Sequence, residues 1–255
     1  MKIQYKHEEV LQYWVGLLDA DGSIQCNHWR KKELQYRIVI KMRREYTAML
    51  ETIRLHVGGI VRFCGKNDVI LVEDHQRKIW KLLQIFDRYP PLTTRVQCQI
   101  AFLKECRSRN DVEWMLQNRQ NRYYNRDAIR NMIVARDIQS LDYFPIWCSG
   151  FIEGEGCFLI TSDRRVLEKN TIQSFSIAQK NDKFLIESIK KYFGGTNRIR
   201  CLKNEIFVWK VYKRDVLKNI IAHHSKYGLL GKKNLQLKSF VNVFIKKDLM
   251  LNKSL

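Results

Sequence analysis

The chain has 255 residues, 45% of them hydrophobic and 11% aromatic, with 46 Lys and Arg against 26 Asp and Glu, a formal net charge of +20. That length and apolar content bury a real core and exclude global disorder, and no uninterrupted apolar run approaches the roughly 20 residues that span a bilayer. The charge excess points to a polyanionic partner, nucleic acid first, and the start, MKIQYKHEEV, lacks the apolar segment of a secretory signal.

In chain order, LQYWVGLLDADGSI at 11–24 predicts a helix running into acid-small-acid-Gly. Two strands follow, at 23–30 and 35–43. In the first, Ile24 and Cys26 alternate with Ser23, Gln25, Asn27 and Trp29; in the second, Tyr36, Ile38, Ile40 and Met42 alternate with Gln35, Arg37, Lys41 and Arg43. Each strand therefore has one core face and one polar face. A helix at 45–57 carries Met49, Ile53 and Val57 at helical period and stops at Gly58-Gly59, a C-terminal signal. A hairpin, 60–65 with 69–73, turns at Asn67-Asp68, and 94–107 closes the unit. Residues 96–144 hold neither Gly nor Pro. Within them, 110–135 predicts a helical connector dotted with Arg119, Arg122, Arg126, Arg130 and Arg136, lying either on a solvated face or against backbone phosphate.

The same order then returns. PIWCSGFIEGEGCF at 145–158 leads into strands at 157–164 and 171–179. A helix at 182–193 with Phe184, Leu185, Ile189 and Phe193 ends at Gly194-Gly195, and a hairpin of 196–202 with 206–212 turns at Asn204. Asp21 and Glu155 stand 134 positions apart, the Gly-Gly pairs 136, and Tyr89-Pro90-Pro91-Leu92 and Tyr227-Gly228-Leu229-Leu230 stand 138 apart. Three landmarks in step identify two copies of one αββαββα unit, an α+β fold. The first copy spans 1–108, the connector 109–143 and the second copy 144–255.

Seven cysteines without a C-x-x-C pair exclude a disulfide framework and a zinc finger, and read as small core hydrophobes in a reducing compartment. The six histidines have no metal-ligand spacing. The acids are more informative. Asp21 and Glu155 each end a helix, where carboxylates oppose the macrodipole. That placement, made twice, suggests a counter-cation, and carboxylates beside helix-end carbonyls suit Mg²⁺; the bland alternative is two solvated helix-end acids. Gly16 with Ala20, and Gly150 with Gly154, are i,i+4 pairs that let helix backbones approach closely. Either the two motif helices pack about a pseudo-two-fold axis, bringing both acids into a two-metal arrangement for phosphodiester chemistry, or each glycine lies beneath its own sheet.

WVGLLDADG (14–22) and WCSGFIEGEG (147–156) resemble the signature of LAGLIDADG homing endonucleases, specifically the monomeric two-repeat class, and the resemblance extends over nearly the whole chain. It implies motif helices at a domain interface, Asp21 and Glu155 as metal-binding catalytic acids, and antiparallel sheets forming a DNA-binding saddle in the major groove. It implies a polar residue near the scissile phosphate, Gln179, whose first-copy counterpart is Met42. It also implies a basic residue after the Tyr-Pro-Leu-Leu-like segment, Lys233, with Arg95 as counterpart. On the polar faces, Gln25, Asn27, Arg30, Gln35, Arg37, Lys41, Arg62 and Lys66 in the first copy and Arg198, Arg200 and Lys210 in the second are the candidate DNA contacts, being the residue types that base edges require. The implied activity is site-specific double-strand cleavage across the minor groove, with Mg²⁺ and no membrane partner. An RNA-binding intron maturase, or a DNA-binding protein with decayed nuclease activity, are the alternatives. Lack of a basic, Ser-rich presequence is compatible with synthesis in an organelle (mitochondrion or chloroplast), and equally with a bacterial or viral gene.

Overall fold

The structure, a computed structural model, describes residues 5–162 and 171–251. The chain divides into two compact units, Gln4–Gly154 and Glu155–Leu255. In the first, α1 (His7–Asp21) runs directly into β1 (Gly22–Trp29) and β2 (Glu33–Arg43). There follow α2 (Thr47–Val57), β3 (Ile60–Cys64), β4 (Asp68–Glu73), α3 (Gln76–Arg88), α4 (Thr94–Arg109), α5 (Val112–Asn118) and α6 (Arg126–Val134). The helix α7 (Phe144–Glu155) belongs to this unit through Gly154. The second unit holds β5 (Gly156–Ser162), β6 (Thr171–Lys180), α8 (Lys183–Tyr192), β7 (Arg200–Leu202), β8 (Ile206–Val211), α9 (Arg214–Lys226) and α10 (Lys233–Leu251).

Each unit is α+β, with one antiparallel four-stranded sheet, in the order β1-β2-β4-β3 and β5-β6-β8-β7. The alternation in β2 sets the faces: Tyr36, Ile38, Ile40 and Met42 are buried, while Gln35, Lys41 and Arg43 are exposed. Register then aligns Gln25 with Arg37, Asn27 with Gln35, and Lys41 with Ile70 and Arg62 across the outer face. Gly58 and Gly194 sit at φ 82° and 76°, a conformation that carries a Cβ only with strain, and so terminate the helices before each hairpin.

The connector over 110–135 is helical, as two short helices broken at 119–125, where the polar run Arg119-Gln120-Asn121 forms a 3₁₀ turn followed by further turn residues. Two expectations change. The strand expected at 196–202 is only Arg200–Leu202. Cys98, Cys106 and Cys148 are buried, but Cys64, Cys157 and Cys201 are exposed. Cys157 pairs with Ser176 on an outward row of its sheet, so it cannot reach the core. Residues 163 and 164 of the expected second-copy strand lie outside the described residues.

Candidate active site

A helix turns about 100° per residue, so two residues apart point to nearly opposite sides. Asp19 and Asp21 show the consequence. Asp19 is fully buried, on the same side as Gly16 three residues earlier, and Asp21 is exposed at the last turn. In α7 the corresponding Glu153 is fully buried and Glu155 ends the helix half-buried.

The buried acids build the helix pair. Trp147 of α7 donates its indole N–H to Asp19 at 2.8 Å, and Tyr13 of α1 donates its hydroxyl to Glu153 at 2.8 Å. Tyr13 and Trp147 are 134 positions apart, as are the two acids, so one contact is made twice with the roles exchanged. The glycines repeat this reciprocity. A methyl on Gly16 would overlap the Trp147 carbonyl, and one on Gly150 would overlap the Tyr13 carbonyl. A methyl on Gly154 would overlap Ala20 and come within 2.8 Å of the Asp21 carboxylate. Small residues here set the interhelical distance, and around them Leu17, Leu18, Phe151 and Ile152 are fully buried. Each such apolar side chain contributes about 1.5–3 kcal/mol.

Asp19 also accepts hydrogen bonds from the backbone N–H of Leu92 at 2.6 Å and of Thr93 at 3.1 Å, and from the Thr93 hydroxyl. Burial pushes its pKa up to about 6 despite those donors, so it is largely ionised at neutral pH and satisfied by four of them. Tyr46, just before α2, was not anticipated from sequence. Burial, with the charges of Glu153, Glu45 and Asp21 adding to it, raises its hydroxyl to about 12 and keeps a neutral phenol near the outer acid.

Arg95, the second residue of α4, is held against the end of α1. Its guanidinium donates to the carbonyls of Gly22, Asp19 (2.6 Å), Leu18 (3.2 Å) and Ala20 (3.3 Å). The counter-cation inferred for this helix end is thus supplied, in the first copy, by the chain itself. Lys233 opens α10 and is buried to 9% exposure. Gln179 is 8% exposed on the inner side of its sheet, opposite Phe207, and Met42 is likewise buried. Among the described residues no three His, Cys, Asp or Glu form a cluster able to cage a metal. The exposed Asp21 carboxylate nevertheless fits a hard cation of the Mg²⁺ type, which takes one or two carboxylates and completes its shell with water and phosphate oxygens.

The polar faces gather the remaining candidates into groups. Asn27, Gln35 and Arg37 line a depression with Asp74, which lies 3.7 Å from Arg37. Lys41 is held at 2.9 Å by Asp68, which also faces Arg43 at 3.6 Å. Arg62 and Lys66 are exposed on the β3–β4 hairpin, and Arg30 is exposed at the β1–β2 turn with φ 48°. In the second unit Arg198, Arg200 and Lys210 line one open depression of about 730 Å³ with Tyr212.

Residues 14–106 and 148–244 match the model of the LAGLIDADG endonuclease family, one match for each copy. The chain belongs to that family. This LAGLIDADG chain is 40% identical over 244 residues to the probable intron-encoded endonuclease aI3 of Dictyostelium citrinum, covering 93% of this chain and 96% of that protein. Its fold is similar to the LAGLIDADG homing endonuclease I-LtrWI bound to target DNA, with a TM-score of 0.72 and 22% identity over 97% of this chain and 92% of the other. It is also similar to I-SmaMI bound to uncleaved DNA target in the presence of calcium ions, with a TM-score of 0.72 and 18% identity over 99% and 93% of the two chains. Among the described residues no helix is long and apolar enough to cross a membrane.

Proposed function

We propose that this LAGLIDADG protein is a site-specific homing endonuclease, acting as a single chain that carries both repeats and hydrolysing one phosphodiester on each strand of duplex DNA across the minor groove. The observation that carries this reading is the division of labour within each motif. Asp19 and Glu153 are sealed into the helix pair, while Asp21 and Glu155 are left at the junction between motif helix and first strand. The intron-encoded relative and the DNA-bound neighbours support the same substrate class. A long target fits the outward polar face of the first sheet together with the Arg198, Arg200 and Lys210 depression of the second unit, and synthesis in an organelle fits the intron-encoded relatives.

Asp21 and Glu155 would hold divalent metal, with Mg²⁺ the cation of choice for oxygen ligands. Bound there, it supplies Lewis-acid stabilisation of the charge developing on phosphoryl oxygens. Arg95 fixes the carbonyl end of α1 and so positions Asp21. Lys233, as a compact ammonium, would stabilise charge at the leaving oxygen, and Gln179 would orient the attacking water. The outward Gln, Asn, Arg and Lys residues would bind the duplex, phosphates for grip and base edges for selection.

The test is a Mg²⁺ cleavage assay on a supercoiled library of candidate target sites, run beside binding to a precursor intron RNA. Linear product at a defined site supports the proposal. RNA binding without DNA cleavage, or full double-strand cutting by Asp21→Asn, overturns it.

A further inference from the structure

The break in the connector is itself organised. Tyr123 lies between two arginines, with the Arg122 guanidinium 4.9 Å and the Arg126 guanidinium 4.6 Å from its ring centroid. Its hydroxyl accepts from Gln99 of α4 at 3.1 Å, and the same Gln99 accepts from the Ile24 backbone N–H of β1 at 2.9 Å. One side chain therefore ties the connector to the strand that begins immediately after Asp21. Burial works against ionisation of the Tyr123 phenol, but hydrogen bonds from Arg122 and Gln99 and the charges of Arg122 and Arg95 outweigh it, bringing the phenol below the ordinary tyrosine value. Two guanidinium groups thus flank a ring that Gln99 ties to the α1–β1 junction.

Arg122 is the informative member. It is half-buried, donates from Nη1 to the Arg119 carbonyl at 3.2 Å, and its buried Nε has no acceptor. Among the described residues no carboxylate pairs with it. By contrast, Arg130, two turns on, is neutralised by Asp127 at 2.7 Å. A half-buried guanidinium held on an aromatic ring, with no carboxylate to neutralise it, suits an anionic partner at its outer N–H groups.

We propose that Arg122, braced on Tyr123, is a DNA backbone-phosphate contact beside the Asp21 end of α1, made by the connector rather than by either sheet. This rests on the duplex-DNA reading above and adds a positioning contact to it. Such a contact is independent of base sequence, so it is testable without the natural target.

The experiment measures affinity for a mixed-sequence duplex of roughly 30 base pairs, without metal, as a function of salt. Arg122→Ala is expected to make the slope of log affinity against log salt shallower by about 0.9, the value for one phosphate. Arg122→Lys keeps the charge and restores the slope, and Arg130→Ala leaves it at the wild-type value. An unchanged slope in Arg122→Ala overturns the contact, as does failure of Arg122→Lys to restore it, which would mark a packing role only. Wild-type protein that binds the duplex but never cuts in Mg²⁺ defeats the nuclease reading and leaves Arg122 to be judged on its slope. Cutting with no slope change in Arg122→Ala does the reverse. Absence of any salt-dependent duplex binding by the wild type defeats the contact outright.

Discussion

At the end of α1, Arg95 lies across four carbonyls and the nearby β2 position is Met42; the corresponding places in the second copy hold Lys233, at the start of α10, and Gln179. The two copies thus share a scaffold and differ in chemistry. The first places a guanidinium on the helix terminus and carries a buried thioether where the second carries a buried amide. A guanidinium spread over carbonyls secures geometry, whereas an ammonium and an amide suit charge stabilisation and water orientation. If Lys233 and Gln179 act as proposed, the expected outcome is centres of unequal strength and a nicked intermediate during cleavage of a supercoiled target, read on an agarose gel over a time course.

The largest expected effect is on the outer acids themselves. Asp21→Asn or Glu155→Gln should retain specific binding and lower double-strand cleavage by about 1000-fold or more, since several kcal/mol of transition-state stabilisation are removed. Single-turnover cleavage beside a gel-shift titration measures both. Equal loss from both variants would show that the two centres work as a unit in spite of their different neighbours.

Next come the inner acids. Asp19→Ala strands four donors, so a loss of about 3 kcal/mol or more is expected, together with a clear drop in Tm by calorimetry. The pH dependence has a definite sign. Burial raises the folded-state pKa of Asp19 above its unfolded value of 3.8 to about 6. Its protonated form therefore favours the fold: the contribution is full below pH 3.8 and is lost as pH rises through about 6. Stability relative to Asp19→Asn should fall by up to about 3 kcal/mol between pH 4 and 7. Denaturant titrations across that window check it, and a rise would refute the assignment.

Smaller effects probe the asymmetry directly. Arg95→Ala should cost about 1–2 kcal/mol of stability through the lost helix-end cation, and should slow cleavage while Arg95→Lys recovers part of both. Smallest of all, Met42→Gln is expected to speed cleavage of one strand by a few-fold, measured with each strand end-labelled in turn; equal rates for wild type and variant on both strands refute the assignment.

Much of this architecture was legible because period-two alternation in 35–43, the Gly-Gly stops and the spacing of the two motifs all depend on local geometry. The split between Asp19 and Asp21 was also accessible, since Asp19 lies three residues from Gly16 and so on the small-residue face. It was missed because a buried carboxylate makes sense only with its donors, and those come from Leu92, Thr93 and Trp147, far away in sequence. The repeat of Tyr13 and Trp147 six residues before each inner acid was the available signal. The Arg95 contacts and the break in the connector depend on tertiary packing, and no local pattern specifies them.

The exchanged pair of hydrogen bonds also bears on how such a protein can be re-engineered. Tyr13 meets the longer acid, Glu153, and Trp147 meets the shorter one, Asp19. After duplication the two halves have become a matched lock, each donor length fitted to the acid of the other helix. A chimera fusing two first copies would set the tyrosine against aspartate, and two second copies would set the indole against glutamate. Recombining halves from different relatives therefore calls for transplanting α1 and α7 together, as a single heritable module, with the sheets exchanged around them.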